Sequence, residues 1–199
     1  MFTGIIEEIG EVTAIEREKS NVHFTLKAKM AGHLKVDQSL AHNGCCLTVV
    51  EQSDMEYKVT AIQETLDKTN LEDWMIGTRI NLERCMKADG RFDGHIVQGH
   101  VDCVATCIEV LDLNGSWKYT FQYEADHQTV EKGSITINGT SLTVVDSLDD
   151  GFSVCIIPYT YEHTNFNEFQ AGTKVNIEFD VFGKYIAHSL QPYKTNDFS

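Results

Sequence analysis

Apolar and polar residues alternate at period two in two separate stretches of the chain, residues 22–28 and 117–123. Period two is the side-chain repeat of a β-strand that has one buried face. Further short segments are rich in β-branched and aromatic residues, which also favour strands. These segments are residues 57–62, 78–83, 152–157 and 173–180. The pattern predicts a mainly β protein built from short strands.

Turn and helix signals separate the strands at regular places. The dipeptide Asn-Gly at 43–44 and again at 138–139 predicts tight hairpin turns, because both residue types tolerate positive φ. A short helix is predicted in each half of the chain, over residues 66–76 and 161–169. About six short strands in each half are too few for a large sandwich and suit a small closed barrel.

The two halves of the chain are copies of one unit. When the sequence is shifted against itself by 95 positions, QSLAHNGCCLTVV (38–50) aligns with GSITINGTSLTVV (133–145), with 7 identities in 13 positions. Several such matches at one constant offset indicate an internal repeat, so two similar domains are expected, with a boundary near residues 91–97. The same shift also aligns TLDKTN (65–70) with TYEHTN (160–165) and GTRINLE (77–83) with GTKVNIE (172–178).

Composition narrows the classes of function. With 16 Lys and Arg against 30 Asp and Glu, the formal net charge is −14, which argues against a nucleic-acid partner because phosphates are bound by clustered cations. No apolar stretch is long enough to cross a bilayer, and the first residues lack the basic flank of a secretory signal. We therefore expect a cytoplasmic protein with no membrane partner. The six cysteines are irregularly spaced and are expected to be free thiols.

Five motifs, taken together, carry a family resemblance. They are MFTGII at the start, AHNGCCLTV (41–49), KTN (68–70), GHIVQGHVD (94–102) and NGTSLTV (138–144). In this order and at this spacing, the chain from Met1 to about Ala187 resembles the riboflavin synthase family. The resemblance implies an all-β fold of two tandem, similar, six-stranded Greek-key closed barrels with short helices, plus a short C-terminal helix. It divides the chain into an N-terminal lumazine-binding barrel (1–95), a C-terminal one (96–187) and a tail (188–199).

The resemblance also implies a reaction, the last step of riboflavin biosynthesis. Two molecules of 6,7-dimethyl-8-ribityllumazine exchange a four-carbon unit, which gives riboflavin and 5-amino-6-ribitylaminouracil. No metal, nucleotide or redox cofactor takes part in that family. Its paired pockets come from different subunits of a homotrimer, held together by a C-terminal helix. Here Pro192 limits that helix to about residues 184–191, with Tyr185, Ile186 and Ser189 or Leu190 as a brief stripe. Association with lumazine synthase is left open.

The lumazine-contact segments of the family map onto both halves of the chain. Hydroxyls and backbone amides in these segments suit a heterocycle rich in carbonyl oxygens and ring nitrogens. In the first barrel the mapped residues are Gly4, Ile5, Ile6, Cys46, Leu47, Thr48, Thr60, Ala61, Ile62, Gln63, Glu64 and Thr65. In the second barrel and the segment before it they are Gly99, His100, Val101, Lys132, Ser141, Leu142, Thr143, Cys155, Ile156, Ile157, Pro158, Tyr159 and Thr160.

Positions at which the two copies differ are expected to assign the donor and acceptor roles. Cys46 stands where the second copy has Ser141. The resemblance favours Cys46 as a thiol or thiolate that adds to the electrophilic carbon of the acceptor lumazine, or activates water there; a buried, inert cysteine is the alternative. Cys45 is expected to point to the opposite face of the strand. Ser39 and Ser141 are candidates for hydrogen bonds to the ring or the ribityl chain, unless they bond to their own backbone.

His95 and His100 flank the junction between the halves. A histidine can carry protons near neutral pH, such as the proton removed from the lumazine 7-methyl group; structural histidines bonded to backbone groups are the alternative. A zinc site formed by these two histidines with Cys103 and Cys107 is disfavoured, because the spacing matches no common zinc module. Lys132 is a candidate partner for a lumazine carbonyl across a subunit boundary, or else a solvated charge.

A function of another class is a non-catalytic lumazine or flavin carrier. Lumazine-binding antenna proteins share this architecture, and fold alone does not fix activity. The polar residues expected at both pockets favour the enzyme. A purely structural barrel would have no need of unequal residues at equivalent positions.

Overall fold

In the computed structural model, which describes residues 1–124 and 127–190, the strands form two closed antiparallel barrels of six strands each. The predicted all-β class and the predicted barrel are therefore confirmed. The first barrel has the strand order β1-β2-β5-β4-β3-β6, which is a Greek-key connectivity. Its strands are β1 (Glu8–Glu18), β2 (Asn21–Lys27), β3 (Ser39–His42), β4 (Cys45–Gln52), β5 (Glu56–Ala61) and β6 (Arg79–Arg84).

The second barrel repeats this topology, and local irregularities repeat with it. A β-bulge between Val12 and Ala14 in β1 has its counterpart between Cys107 and Glu109, at the offset 107 − 12 = 95. The internal repeat thus extends to the placement of single irregular residues. The strands of the second barrel are β7 (Cys103–Asp112), β8 (Trp117–Gln122), β9 (Ser134–Ile137), β10 (Thr140–Ser147), β11 (Gly151–Ile156) and β12 (Lys174–Phe179).

The predicted hairpin turns form at both Asn-Gly pairs. Asn43 and Gly44 have φ values of 45° and 78°, and Asn138 and Gly139 have 43° and 79°. This positive-φ pair matches the right-handed twist of the flanking strands, β3 with β4 and β9 with β10. Each turn places the residues that follow it, at the start of β4 or β10, beside the junction between the barrels.

Each barrel encloses its own hydrophobic core. In β2 the alternating residues Val22, Phe24 and Leu26 are buried, as the period-two pattern predicts. The second core is richer in aromatic rings, with Tyr119 stacked beside Phe121 in the equivalent strand β8. Because the cores are filled by side chains, ligands can reach only the outer surface and the ends of the barrels.

The helices of the two halves differ from the predicted ranges 66–76 and 161–169, which were wrong in their bounds. Helix α1 (Gln63–Lys68) and helix α2 (Pro158–His163) begin three residues earlier and end sooner. Thr69 and Thr164 break them, because both have extended backbone and a side chain that accepts a hydrogen bond from the next turn. The chain continues as the 3-10 turns Asn70–Asp73 and Asn165–Glu168, and another 3-10 turn spans Lys29–His33.

Helix α3 (Val181–Leu190) follows the second barrel. It begins three residues before the predicted start at residue 184, because the Asp180 carboxylate accepts a hydrogen bond from the Phe182 N–H (2.9 Å). The expected limit between 187 and 188 thus falls inside a helix, and the rest of the tail, residues 191–199, lies outside the described residues. Among the described residues, no helix has the length and apolar character needed to span a membrane.

Six buried asparagines join the two barrels at matched positions. They are Asn43, Asn70 and Asn81 and, 95 residues later, Asn138, Asn165 and Asn176. Asn81 Nδ2 donates to the Asn138 carbonyl oxygen (2.9 Å) and to Asn165 Oδ1 (2.9 Å), and Asn176 Nδ2 donates reciprocally to the Asn43 carbonyl oxygen (2.9 Å). Buried amides bonded in this way fix the relative position of the two barrels. They also hold the two 3-10 turns against the opposite barrel, because the Asn70 N–H donates to Asn176 Oδ1 (2.7 Å) and the Asn165 N–H donates to Asn81 Oδ1 (2.8 Å).

Candidate functional site

A short loop before the first barrel, residues 3–6, is held by a buried glutamate; we call it the first crossing loop. The Glu83 carboxylate accepts hydrogen bonds from the N–H groups of Thr3 (2.7 Å) and Gly4 (3.0 Å) and from the Thr3 hydroxyl (3.0 Å). Burial raises the pKa of Glu83, and these hydrogen bonds oppose the rise. The backbone of the loop is therefore set by an internal carboxylate of β6.

The second crossing loop, residues 98–101, repeats the arrangement before the second barrel. Glu178 of β12 accepts hydrogen bonds from the N–H groups of Gln98 (2.6 Å), Gly99 (2.9 Å) and His100 (2.8 Å). Burial raises its pKa as well, against the same kind of hydrogen bonds. The sequence interpretation missed both glutamates. The sequence does contain a hint of them, since an acidic residue ends each of the two matched segments RINLE (79–83) and KVNIE (174–178).

Each crossing loop lies against the opposite barrel. The Ser141 N–H donates to the Gly4 carbonyl oxygen (2.8 Å), and the Cys46 N–H donates to the Gly99 carbonyl oxygen (2.9 Å). Just before the loops, Phe2 and Val97 pair as an antiparallel bridge between the barrels. Each crossing loop therefore contacts both barrels: Gly4 is bonded to Glu83 of the first barrel and to Ser141 of the second, and Gly99 is bonded to Glu178 of the second and to Cys46 of the first.

Cys46 is half-buried at the start of β4, beside the second crossing loop. Burial raises the pKa of its thiol, whereas a hydrogen bond with Ser39 lowers it. The thiol form therefore dominates at neutral pH, which disfavours the thiolate interpretation of Cys46. Cys45 points into the core, as expected, and burial raises its pKa to about 12.

Ser39 lies between two cysteines at the first-barrel site. It occupies the first position of β3 and is half-buried. Its side chain favours the ionised form of the Cys46 thiol and so opposes the rise of that pKa, and its carbonyl oxygen accepts from Cys85 Sγ (3.4 Å). Cys46 and Cys85 also pack against Phe2 in a small apolar cluster at the junction. The first-barrel site is thus thiol-rich and weakly polar.

The second-barrel site holds a histidine instead. His95 Nδ1 lies 2.7 Å from Ser141 Oγ, and His95 Nε2 lies 3.1 Å from Thr136 Oγ1. Burial lowers the pKa of the half-buried His95 imidazole, and the charge of Asp180 opposes this. His95 is therefore neutral at pH 7. In the first barrel, Ala41 occupies the position equivalent to Thr136, so the hydroxyl chain belongs to the second barrel alone.

The structure separates the other two candidates from this group. His100 is exposed on the second crossing loop, where its backbone rather than its ring is held. Lys132 is exposed in the turn before β9, with a φ of 64° and its N–H bonded to the Val144 carbonyl oxygen (3.0 Å). The Lys132 side chain forms no hydrogen bond or ion pair within residues 1–124 and 127–190.

The remaining mapped residues divide by burial. Leu47, Ala61 and Ile156 point into the cores and can contact a ligand only through their backbone. Ile62 and Ile157, the equivalent residues that precede α1 and α2, are 52% and 61% exposed. Each barrel therefore presents an exposed apolar side chain at this position. The other exposed residues are Thr48, Gln63, Glu64, Thr143, Cys155, Pro158 and Tyr159, and the half-buried ones are Thr60, Thr65, Leu142 and Thr160.

No group of His, Cys, Asp and Glu side chains suited to holding a metal ion occurs in the part of the chain that the structure describes. Two residues of the disfavoured zinc interpretation lie in different surroundings, because Cys107 is buried in the second core whereas His100 is exposed. What the sites offer chemically is hydroxyl, thiol, imidazole and backbone groups.

Comparison with known proteins relates this arrangement to a family. The lumazine binding domain matches residues 3–85 and again 98–180. The chain is 40% identical over 193 residues to riboflavin synthase of Actinobacillus pleuropneumoniae, covering 96% of this chain and 90% of that protein. It is 38% identical to riboflavin synthase of Bacillus subtilis, covering 99% and 92%.

A similar solved structure is the crystal structure of LumP complexed with 6,7-dimethyl-8-(1'-D-ribityl) lumazine. It superposes with a TM-score of 0.83 at 22% identity, over 90% of this chain and 99% of that one. This likeness concerns the fold. The two domain matches and the near full-length identities decide the relationship: the chain belongs to the riboflavin synthase family of enzymes and carries the lumazine-binding barrel of that family twice.

Proposed function

We propose that this chain catalyses the dismutation of 6,7-dimethyl-8-ribityllumazine. One molecule transfers a four-carbon unit to a second, which yields riboflavin and 5-amino-6-ribitylaminouracil. The doubled barrel supports this, because a reaction between two copies of one compound needs two similar pockets. Fixing two reactants in attack geometry can remove roughly 7 to 11 kcal/mol of the barrier.

The observation that carries the proposal is the chemical inequality of equivalent positions. The first-barrel site has Cys46 and Ala41 where the second has Ser141 and Thr136, and His95 bonds both hydroxyls of the second. A dismutation needs one molecule to donate and the other to accept, so two similar but unequal pockets suit it. A carrier of one ligand has no comparable need.

A second copy of the chain completes each site in this proposal. Three side chains at these sites are exposed in a single chain: Ile62, Ile157 and Lys132. A lumazine held against the first barrel of one subunit can therefore face a lumazine held against the second barrel of another. Lys132 would then pair with a carbonyl oxygen across the boundary, as a charge-assisted hydrogen bond.

We assign the assembly, a homotrimer, to helix α3. Lys184 faces the barrel and pairs with Asp102 at 2.9 Å. The opposite side of the helix carries an apolar stripe of Phe182, Tyr185 and Ile186, which are 62%, 69% and 61% exposed. The spacing of three and four residues places these side chains on one face. Such a stripe suits packing against the same helix of neighbouring subunits.

Replacing Ile186 with glutamate is expected to release monomers and to lower activity by about tenfold or more, because a charge would be buried in the helix contact. Ala187→Glu, on the next face of α3, is the matched control and is expected to keep the assembly. Sedimentation measures the mass and riboflavin formation measures the activity. A monomeric parent protein that is fully active would contradict the shared site.

The function itself is tested by incubating the purified protein with 6,7-dimethyl-8-ribityllumazine and no added cofactor. Riboflavin fluorescence should appear, with two lumazines consumed for each riboflavin formed. Tight binding without turnover would instead identify a lumazine carrier.

We place the protein in the cytoplasm on chemical grounds. The six cysteines are free thiols, among them the half-buried Cys46 and Cys85 at the first-barrel site. A reducing compartment preserves such thiols.

A further inference from the structure

His95 is held at both ring nitrogens by hydroxyl groups from two adjacent strands. Ser141 in β10 and Thr136 in β9 stand directly opposite each other in the sheet. The imidazole bridges them, with Nδ1 at 2.7 Å from Ser141 Oγ and Nε2 at 3.1 Å from Thr136 Oγ1. The backbone N–H of His95 also donates to the Thr3 carbonyl oxygen (3.1 Å). The ring is therefore held at both nitrogens, and the backbone of the residue is held separately.

The direction of the two side-chain hydrogen bonds follows from Thr136. Its side chain is buried, with 1% exposure, and His95 Nε2 is the one hydrogen-bond partner of its hydroxyl in the described part of the chain. A buried hydroxyl proton without an acceptor costs roughly 1 to 3 kcal/mol. Thr136 therefore donates to Nε2, which leaves the ring proton on Nδ1, and Nδ1–H donates to Ser141 Oγ.

We propose that Thr136 is a positioning residue that holds His95 in the Nδ1–H tautomer and so turns the Ser141 hydroxyl proton toward the ligand. Its catalytic consequence rests on the proposed function. Ser141 then acts as a hydrogen-bond donor to a ring oxygen or nitrogen that gains negative charge, and not as a nucleophile deprotonated by His95. No covalent bond of the protein changes in this role, and the proton stays on Ser141.

The chain of three donors has a physical advantage. Each hydrogen bond in the series from Thr136 through His95 to Ser141 polarises the next, which makes the terminal hydroxyl a stronger donor. Fixed donors aimed at developing charge are a large source of catalysis. In the first barrel, Ala41 and Cys46 occupy the equivalent places. The proposal therefore assigns charge stabilisation to the second-barrel pocket.

Thr136→Val tests the proposal, because valine keeps the shape and removes the hydroxyl. The expected results are a mixture of His95 tautomers and a fall in kcat of about tenfold, the effect of losing one such hydrogen bond. Thr136→Ser is expected to restore both. The matched control is Thr140→Val, since Thr140 is also buried in this sheet and its hydroxyl has no partner in the described residues.

Nitrogen NMR of the ligand-free protein gives a readout that packing alone would not move, with His95→Ala identifying the signals. The proposal requires a protonated Nδ1 in the parent protein and in Thr140→Val. An Nε2–H tautomer in the parent, or an unchanged tautomer in Thr136→Val, would overturn it. Equal losses of kcat in Thr136→Val and Thr140→Val would show that Thr136 contributes only to packing and would also overturn the proposal. If the parent converts no lumazine, the proposed function fails, and the tautomer measurement alone decides the role of Thr136.

Discussion

Replacing His95 with alanine is expected to lower kcat for riboflavin formation by about a hundredfold. The imidazole orients the Ser141 hydroxyl at 2.7 Å, and without it that hydroxyl is free to rotate. Loss of one fixed donor at a site of developing charge typically costs roughly 10² to 10³ in rate. Steady-state rates measure the effect, and thermal unfolding of the variant checks that the barrel remains folded.

The activity of the parent protein is expected to depend on pH through the protonation of His95. Burial lowers the pKa of His95 below its ordinary value of 6.5, against the opposing charge of Asp180, the residue just before α3. Protonation would place a proton on Nε2, where Thr136 already donates, and would break the hydrogen-bond chain. Activity is therefore expected to be full above pH 6.5 and to fall as the pH drops through the lowered pKa. His95→Ala should lack this acid limb.

A double-mutant cycle with Ser141→Ala is the matched control for this prediction. If His95 acts through the Ser141 hydroxyl, removing both residues should slow the reaction no more than Ser141→Ala alone. Rate losses that multiply would show that His95 has a separate role, such as removing the proton of the 7-methyl group.

Much of the fold could be predicted from the sequence because its determinants are local or repeated. Alternation in residues 22–28 marks β2, and the Asn-Gly pairs at 43–44 and 138–139 mark hairpins that need positive φ. The offset of 95 positions identified two copies of one barrel. The helix bounds were missed because Thr69 and Thr164 break each helix through backbone geometry, which composition does not reveal.

The candidate site could be predicted less completely from the sequence, because its contacts join residues that are far apart in the chain. Glu83 holds Thr3 from 80 positions away, and Glu178 holds Gln98 from the same distance. An internal repeat shows which residues are equivalent but not which ones touch. For that reason the offset could not show that each crossing loop contacts the opposite barrel, through Ser141 in one case and Cys46 in the other.

Gly99→Ala is expected to lower the free energy of unfolding by about 3 kcal/mol. Gly99 has a φ of 79°, and a left-handed backbone costs an L-residue roughly 1 to 2 kcal/mol. A Cβ there would lie 2.7 Å from Cys46 Cβ and 2.9 Å from Phe2 Cε2. Such overpacking adds roughly 1 to 3 kcal/mol. Urea denaturation measures the change.

Gly77→Ala separates the backbone cost from the steric cost. Gly77 has a φ of 91°, but a Cβ there would meet no atom within 4 Å, so its loss is expected to be only about 1 to 2 kcal/mol. Gly99→Ala should also change the reactivity of Cys46, because the thiol must move away from the second crossing loop. Equal losses of stability in the two variants would mean that the second crossing loop is not pressed against β4. That result would contradict the close contact between this loop and the first barrel.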